Sequence, residues 1–180
     1  MDKDYFLIRR MKQGDEAAVD DFVKRYYKDI YSYCYYKLSD KWQAEDITQE
    51  TFTNFFRNFS NYIHKSKARN YLYVIAGNLC KNEYKKHKEI PALEAKESTI
   101  AAKEVQKEIN LKLSIEQEIS KLPNEFKEVV ILHYFQELKL REIAEILGIS
   151  ISLVKYRLSE SKKMLKSRMN KEDFYEYSFE

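Results

Sequence analysis

The stretch Leu140–Leu158, LREIAEILGISISLVKYRL, decides the fold. Ile143, Ala144 and Leu147 recur at the three- and four-residue steps that line one face of a helix. Gly148 can supply the positive φ of a tight turn, and Ser150 can cap a second helix. Ile149, Ile151, Val154 and Leu158 are then expected to pack the pair together, which is a helix-turn-helix pattern. Over residues 155–170 the second helix carries Lys155, Arg157, Lys162, Lys163, Lys166 and Arg168 against the single carboxylate Glu160. An isolated Lys-rich helix is more often a solvated surface, but behind this turn it suits the phosphate-lined major groove of DNA. Ser150, Ser152, Lys155, Tyr156 and Ser159 fall at the start or on the outer side of that helix, within reach of base edges and phosphates.

Upstream of this stretch, Leu111, Ile115, Ile119 and Leu122 keep a helical period. Pro123 suits the first turn of a further helix through Phe126, Val129, Val130, Leu132 and His133 to Phe135. Residues 111–170 therefore form one helical unit. Residues 89–110 lose large apolar side chains and alternate Glu with Lys, as a linker does, and residues 171–180 form an acidic tail. Toward the N-terminus, Gly14 reads as a helix stop, and Asp15-Glu16 as the acidic start of a long helix. That helix buries Val19, Phe22, Val23, Tyr26, Tyr27, Ile30, Tyr33, Cys34 and Leu38 on one face. A second run (Ala44, Ile47, Thr51, Phe52, Phe55, Phe56, Phe59) and a third (Tyr71, Leu72, Ile75, Ala76, Leu79) flank a polar loop, Ser60 to Lys67. Residues 1–88 make the first unit. With only 3 Gly and 2 Pro in 180 residues, turn-rich sheets are disfavoured, and the expected class is all-α: two small helical domains joined by a linker.

The net charge of +3 names no partner, but its distribution does. Residues 61–90 carry seven cations, among them Lys65, Lys67, Arg69, Lys81 and Lys85, against Glu83 and Glu89. Tyr62, His64 and Tyr71 are interleaved with them, and aromatic faces beside a cationic groove are what single-stranded bases stack on. With 15 Tyr in the chain, most tyrosines, Tyr71 and Tyr73 included, are expected simply to pack helices. Asp46, Gln49, Glu50 and Thr53 lie at i, i+3, i+4 and i+7, opposite the Phe-rich stripe of their helix. Such a polar face is usually only solvated, though it can dock a partner. Cys34 and Cys80 have no Cys-x-x-Cys spacing and fit reduced thiols, with no zinc site. Scattered histidines and the lack of a phosphate loop argue against catalysis, a metal or a cofactor. No run approaches the roughly 18 apolar residues of a membrane span, so a cytoplasmic protein is expected.

Three motifs resemble an RNA polymerase sigma factor of the extracytoplasmic-function (ECF) type, in the sigma-70 family. AEDITQETFTNFFRNF (Ala44–Phe59) with YLYVIAGNLCKNEYKK (Tyr71–Lys86) resembles the family's second conserved region. LPNEFKEVVILHYFQELKLREIAEILGISISLVKYRLSESKKML (Leu122–Leu165) resembles its fourth, and GDEAAVDDFVKRYY (Gly14–Tyr27) extends the match. The resemblance implies that Asp46, Gln49, Glu50 and Thr53 bind the coiled coil of the polymerase largest subunit. It implies that Tyr62, His64, Lys65, Lys67, Arg69, Tyr71, Asn78, Lys81, Asn82 and Lys85 capture one melted strand of the promoter minus-ten element. It further implies that Ser150, Ser152, Leu153, Lys155, Tyr156, Arg157, Ser159, Lys162 and Lys163 read the minus-thirty-five element as duplex. Core RNA polymerase, promoter DNA and an anti-sigma factor are the implied partners. Tyr71 replaces the family's usual Trp, Ser152-Leu153 its usual Gly-Thr pair, and Lys139 a usual capping Ser, a change that costs about 1 kcal/mol where nothing else caps the helix. Two other readings are a stand-alone helix-turn-helix regulator and a protein scaffold without DNA.

Overall fold

The structure is a computed structural model and describes residues 3–64, 67–88 and 115–169; among these there are helices and turns and no strand. The linker at 89–110, the tail at 171–180 and Lys65 lie outside the described residues. Helix α1 (Lys3–Lys12) ends at Gly14, whose φ of +84° makes the predicted stop. Helix α2 (Glu16–Leu38) starts where the Asp15 carboxylate accepts from the Ala18 amide at 3.2 Å. Helix α3 (Lys41–Arg57) repeats the device, with Asp40 accepting from the Gln43 amide at 2.9 Å. A short 3-10 turn, Phe59–Asn61, leads through the polar loop into α4 (Ala68–Lys88). Phe22 and Phe55, both fully buried, stack at 4.8 Å where α2 crosses α3. Truncating either to Ala would cost about 3–5 kcal/mol.

In the second half, α5 (residues 115–120) and α6 (Asn124–Val130) are followed by a π-helical turn, Ile131–Phe135. That turn ends where the Gln136 amide donates five residues back, to the Ile131 carbonyl, at 3.1 Å. Helices α7 (Leu140–Leu147) and α8 (Ile151–Arg168) are the predicted pair. Gly148 has φ +65°, and Ser150 Oγ accepts from the Leu153 amide at 3.1 Å. Val154 and Leu158 are buried as expected, but Ile151, the first residue of α8, is 39% exposed. On α7, Ile146 is buried although the sequence pattern named Leu147, which is half-buried. The missing capping Ser at Lys139 is offset from the other side: Glu142 accepts from the Lys139 amide at 2.9 Å.

The two units pack against each other across a seam in which α4 meets α7 and α2 meets the π-helical turn. The seam is polar and buried. Tyr33 Oη donates to Glu128 Oε1 at 2.9 Å, and Lys37 Nζ pairs with the same oxygen at 2.8 Å. Lys37 and Glu128 are only 2% and 6% exposed, so this ion pair sits in a low-dielectric environment. Tyr73 Oη donates to Gln136 Oε1 at 2.8 Å, and the Gln136 amide nitrogen donates to Ser32 Oγ at 3.3 Å. Gly77 permits the approach: a Cβ there would lie 3.0 Å from Tyr33 Oη and 3.5 Å from Glu128 Oε1. Cys34 and Cys80 are free thiols buried between α2 and α4. The hydrogen bond with Cys80, and then burial, push the Cys34 thiol pKa up, away from the thiolate form that reacts.

Candidate nucleic-acid interface

The loop before α4 folds back on aromatic rings. Tyr62 stacks between Phe59, at 6.2 Å, and Tyr71, at 5.5 Å, with Phe55 beneath both tyrosines. Tyr62 Oη is 3.2 Å from His64 Nδ1. Tyr62, Ile63 and Tyr71 line a cleft of about 610 Å³ together with the polar groups of Asn58, Asn61, Lys67 and Asn70, and Glu145 and Ile146 of α7 close it from the second unit. A cleft of this kind offers stacking faces together with amides that can pair with base edges. The three asparagines went unnoticed in the sequence, although their clustering around one polar loop was a signal for them.

From Tyr71 the surface runs on along α4 through Asn78, Lys81, Asn82 and Lys85, all exposed and all at helical spacing on one side. Arg69 is turned away from this stripe. Its Nη2 donates to the Gln136 carbonyl at 2.7 Å, and its guanidinium lies 5.7 Å from the Tyr73 ring centre. Lys67 is ion-paired with Glu145 of α7, and Asn70 Nδ2 donates to the same carboxylate at 3.4 Å. Lys81 Nζ stands 3.9 Å from Glu128. The second unit therefore holds Lys67, Arg69 and Asn70 through Glu145 and Gln136.

On α3 the face opposite the buried Ala44, Ile47, Thr51 and Phe55 exposes Asp46, Gln49, Glu50 and Thr53, as the spacing predicts. Thr53 Oγ1 donates to the Gln49 carbonyl at 2.9 Å, which leaves the carboxylates of Asp46 and Glu50 as the outward charges. Trp42, one turn earlier on the same face, was not singled out from the sequence and is 77% exposed.

On α8 the exposed stripe is Ser152, Lys155, Tyr156, Ser159 and Lys163, with Ser150 capping its start. Three of the sequence-assigned residues are placed otherwise. Arg157 points inward and donates to Glu125 of α6 at 2.7 Å, bracing α8 against α6. Lys162 lies 5.8 Å from the Tyr134 ring centre, a cation–π contact, and Leu153 is half-buried. Arg157 borders the buried stripe Val154, Leu158 and Ser161 on the helical wheel, so its inward turn follows from the same period that fixed the core. No helix among the described residues is long and apolar enough to cross a membrane.

Comparison with known proteins agrees with this geometry. Residues 22–90 match the family described as Sigma-70 region 2, and residues 112–165 match Sigma-70, region 4. The ECF RNA polymerase sigma factor SigW of Bacillus subtilis (strain 168) is 35% identical over 176 residues, covering 90% of this chain and 94% of SigW. RNA polymerase sigma factor YlaC of the same strain is 30% identical over 168 residues, covering 89% of this chain and 96% of YlaC. The solved structure of CnrH, in complex with the cytosolic domain of CnrY, superposes with a TM-score of 0.71 at 17% identity, over 90% of this chain and 94% of that one. It supports the fold alone. A stand-alone regulator is not favoured, because the region 2 match accounts for the first unit as fully as the region 4 match accounts for the helix-turn-helix. With both regions present in order and a relative alike along nearly its whole length, the chain belongs to the ECF group of the sigma-70 family, the DNA-binding initiation factors that direct RNA polymerase to promoters.

Proposed function

We propose a division of labour within this sigma factor, in which residues 1–88 and 111–170 act as separate domains. The α3 face of Asp46, Gln49, Glu50 and Thr53 docks on the coiled coil of the largest polymerase subunit. The loop and α4, from Tyr62 to Lys85, hold the melted minus-ten strand, and the outer stripe of α8 reads the minus-thirty-five duplex. The observation that carries this reading is the stacked pair Tyr62 and Tyr71 in a cleft with Asn58, Asn61 and Asn70, Tyr71 being on the same helix as the exposed Asn78, Lys81, Asn82 and Lys85. Opening the duplex needs no bond chemistry by the chain: extruded bases gain stacking and amide contacts that paired bases do not have. The protein therefore acts without enzymatic activity, cofactor or metal. Its place is the cytoplasm, and an anti-sigma factor is the expected antagonist. Two weak DNA contacts become one strong one when both are tethered to polymerase.

Transcription with core polymerase on a cognate promoter tests the assignment. Tyr62→Ala and Asn78→Ala should each reduce open-complex formation about 5- to 100-fold, as loss of one stacked or paired base would, while core binding is unchanged. Open complexes formed at the normal rate by both variants would overturn the reading.

A further inference from the structure

Trp42 is the only tryptophan in the chain and the most exposed large apolar side chain among the described residues, at 77%. Its position is fixed. Asp40 caps the first turn of α3 through the Gln43 amide, and Ala44, Ile47, Thr48 and Thr51 seat the next two turns in the core. The indole thus stands one turn ahead of Asp46 and two ahead of Gln49 and Glu50, in a row that ends at Thr53 and spans roughly 16 Å at helical rise.

An exposed indole on a capped helix turn, in line with two outward carboxylates, has the composition of an interface centre, where tryptophan is enriched. The charge pattern selects the occupant. Asp46 and Glu50 have no ion-pair partner among the described residues, and they would repel a phosphate backbone, so the indole is not a base-stacking platform. A second copy of the chain docked through this face would set acid against acid. What fits is a basic helical surface with an apolar socket. Resting on the docking reading given above, we propose that Trp42 is the apolar anchor of the polymerase interface, inserting into a socket on the coiled coil whose basic side chains meet Asp46 and Glu50.

Because there is one tryptophan, the site can report on itself. The full chain is prepared with 5-hydroxytryptophan at position 42, which is excited at wavelengths where the tryptophans of polymerase do not absorb. On addition of core polymerase, acrylamide quenching of this emission should fall several-fold. Trp42→Ala should weaken core binding about tenfold or more, and Trp42→Phe should recover part of the loss, with helix content and thermal midpoint unchanged because the side chain is exposed. If Trp42→Ala binds core as tightly as the unaltered chain while Asp46→Lys abolishes binding, the anchor is overturned and the docking face stands. If Asp46→Lys and Glu50→Lys also bind normally, the docking face falls with it. Shielding of the label in the free chain at rising concentration, with a doubled mass by sedimentation, would identify a second copy as the occupant and overturn the proposal.

Discussion

Glu128→Gln should unlock the seam between the two units. Glu128 belongs to α6, while both of its close partners, Lys37 and Tyr33, belong to α2. Gln preserves an acceptor for the Tyr33 hydroxyl but removes the charge that neutralises a lysine exposed by only 2%. Lys127, whose pKa is lowered first by burial and then by Lys37, makes the uncompensated state worse. Breaking a buried pair on one side costs about 3–5 kcal/mol. In the open form Lys37 and residue 128 both meet water, so nearly all of that cost falls on the closed form and not on the fold of either unit. The closed-to-open ratio should drop by roughly two to three and a half orders of magnitude. Small-angle scattering and the distance between labels placed on Ser39 and Ser167 should both report expansion. A single-stranded minus-ten oligonucleotide should bind the free variant more tightly than it binds the parent chain. The double variant Lys37→Met, Glu128→Gln, which removes both charges of the buried pair and keeps the Tyr33 hydrogen bond, should close again. An unchanged radius and unchanged strand affinity for Glu128→Gln would refute the reasoning, as would a collapse of helix content without expansion.

Gly77→Ala should also loosen the seam while the helix itself gains: Ala is favoured over Gly by about 1 kcal/mol in a helix interior, but its Cβ would press on Tyr33 Oη at 3.0 Å. Expansion by scattering with an undiminished thermal midpoint of the separate units is the expected pair of results. Lys155→Glu should lower affinity for minus-thirty-five duplex and reduce the salt slope by about one ion with stability unchanged, whereas Arg157→Glu should lower stability as well, because it sets a carboxylate against Glu125. Alkaline titration should show cooperative unfolding. Burial raises Tyr33, Tyr26 and Tyr73 above the ordinary tyrosine value, and burial with the Glu45 hydrogen bond lifts Tyr27 to about 12. Folded tyrosines then keep protons that unfolded ones release, so stability is complete below about pH 10 and is lost as pH rises beyond it; tyrosinate absorbance at 295 nm should rise together with loss of helix.

The parts of this fold that were legible in the sequence are those set by local chemistry. Gly14, Asp15, Gly148 and Ser150 each act within four residues, and α2, α3, α7 and α8 fall where their apolar periods put them. The π-helical turn was not legible, because His133, Tyr134 and Phe135 continue a helical pattern whether the turn closes over four residues or five. Nor was the seam. Lys37, Glu128 and Gln136 are residue types that ordinarily stay in water, and their burial depends on partners 63 to 104 positions away. Of the candidate sites, the exposed stripes of α3, α4 and α8 could be read from spacing alone, whereas the roles given to them came from the family motifs. The asparagines of the cleft and the indole of Trp42 emerged only when the loop and the helix start had been placed in space.

On the proposed division of labour, exposure in the closed form also orders the steps of initiation. Asp46, Gln49, Glu50 and Trp42 are open to solvent while the seam is shut, and so is the outer stripe of α8. Arg69 and Asn70 are not: Gln136 and Glu145 hold them. On the proposed division of labour, the closed chain presents its docking face and its duplex-reading helix but withholds part of its strand-holding surface. A free chain meeting DNA would then bind weakly, since affinity is reduced by the fraction of molecules that are open. Polymerase can be met first, because its dock needs no opening. If docking draws the two units to separate places, the energy of that contact is what breaks the Glu128 and Gln136 contacts, and the strand surface becomes available only at the enzyme that will use it. The reverse order, strand before polymerase, requires the seam to open without that help; the Glu128→Gln variant should make it possible, and the parent chain should not show it.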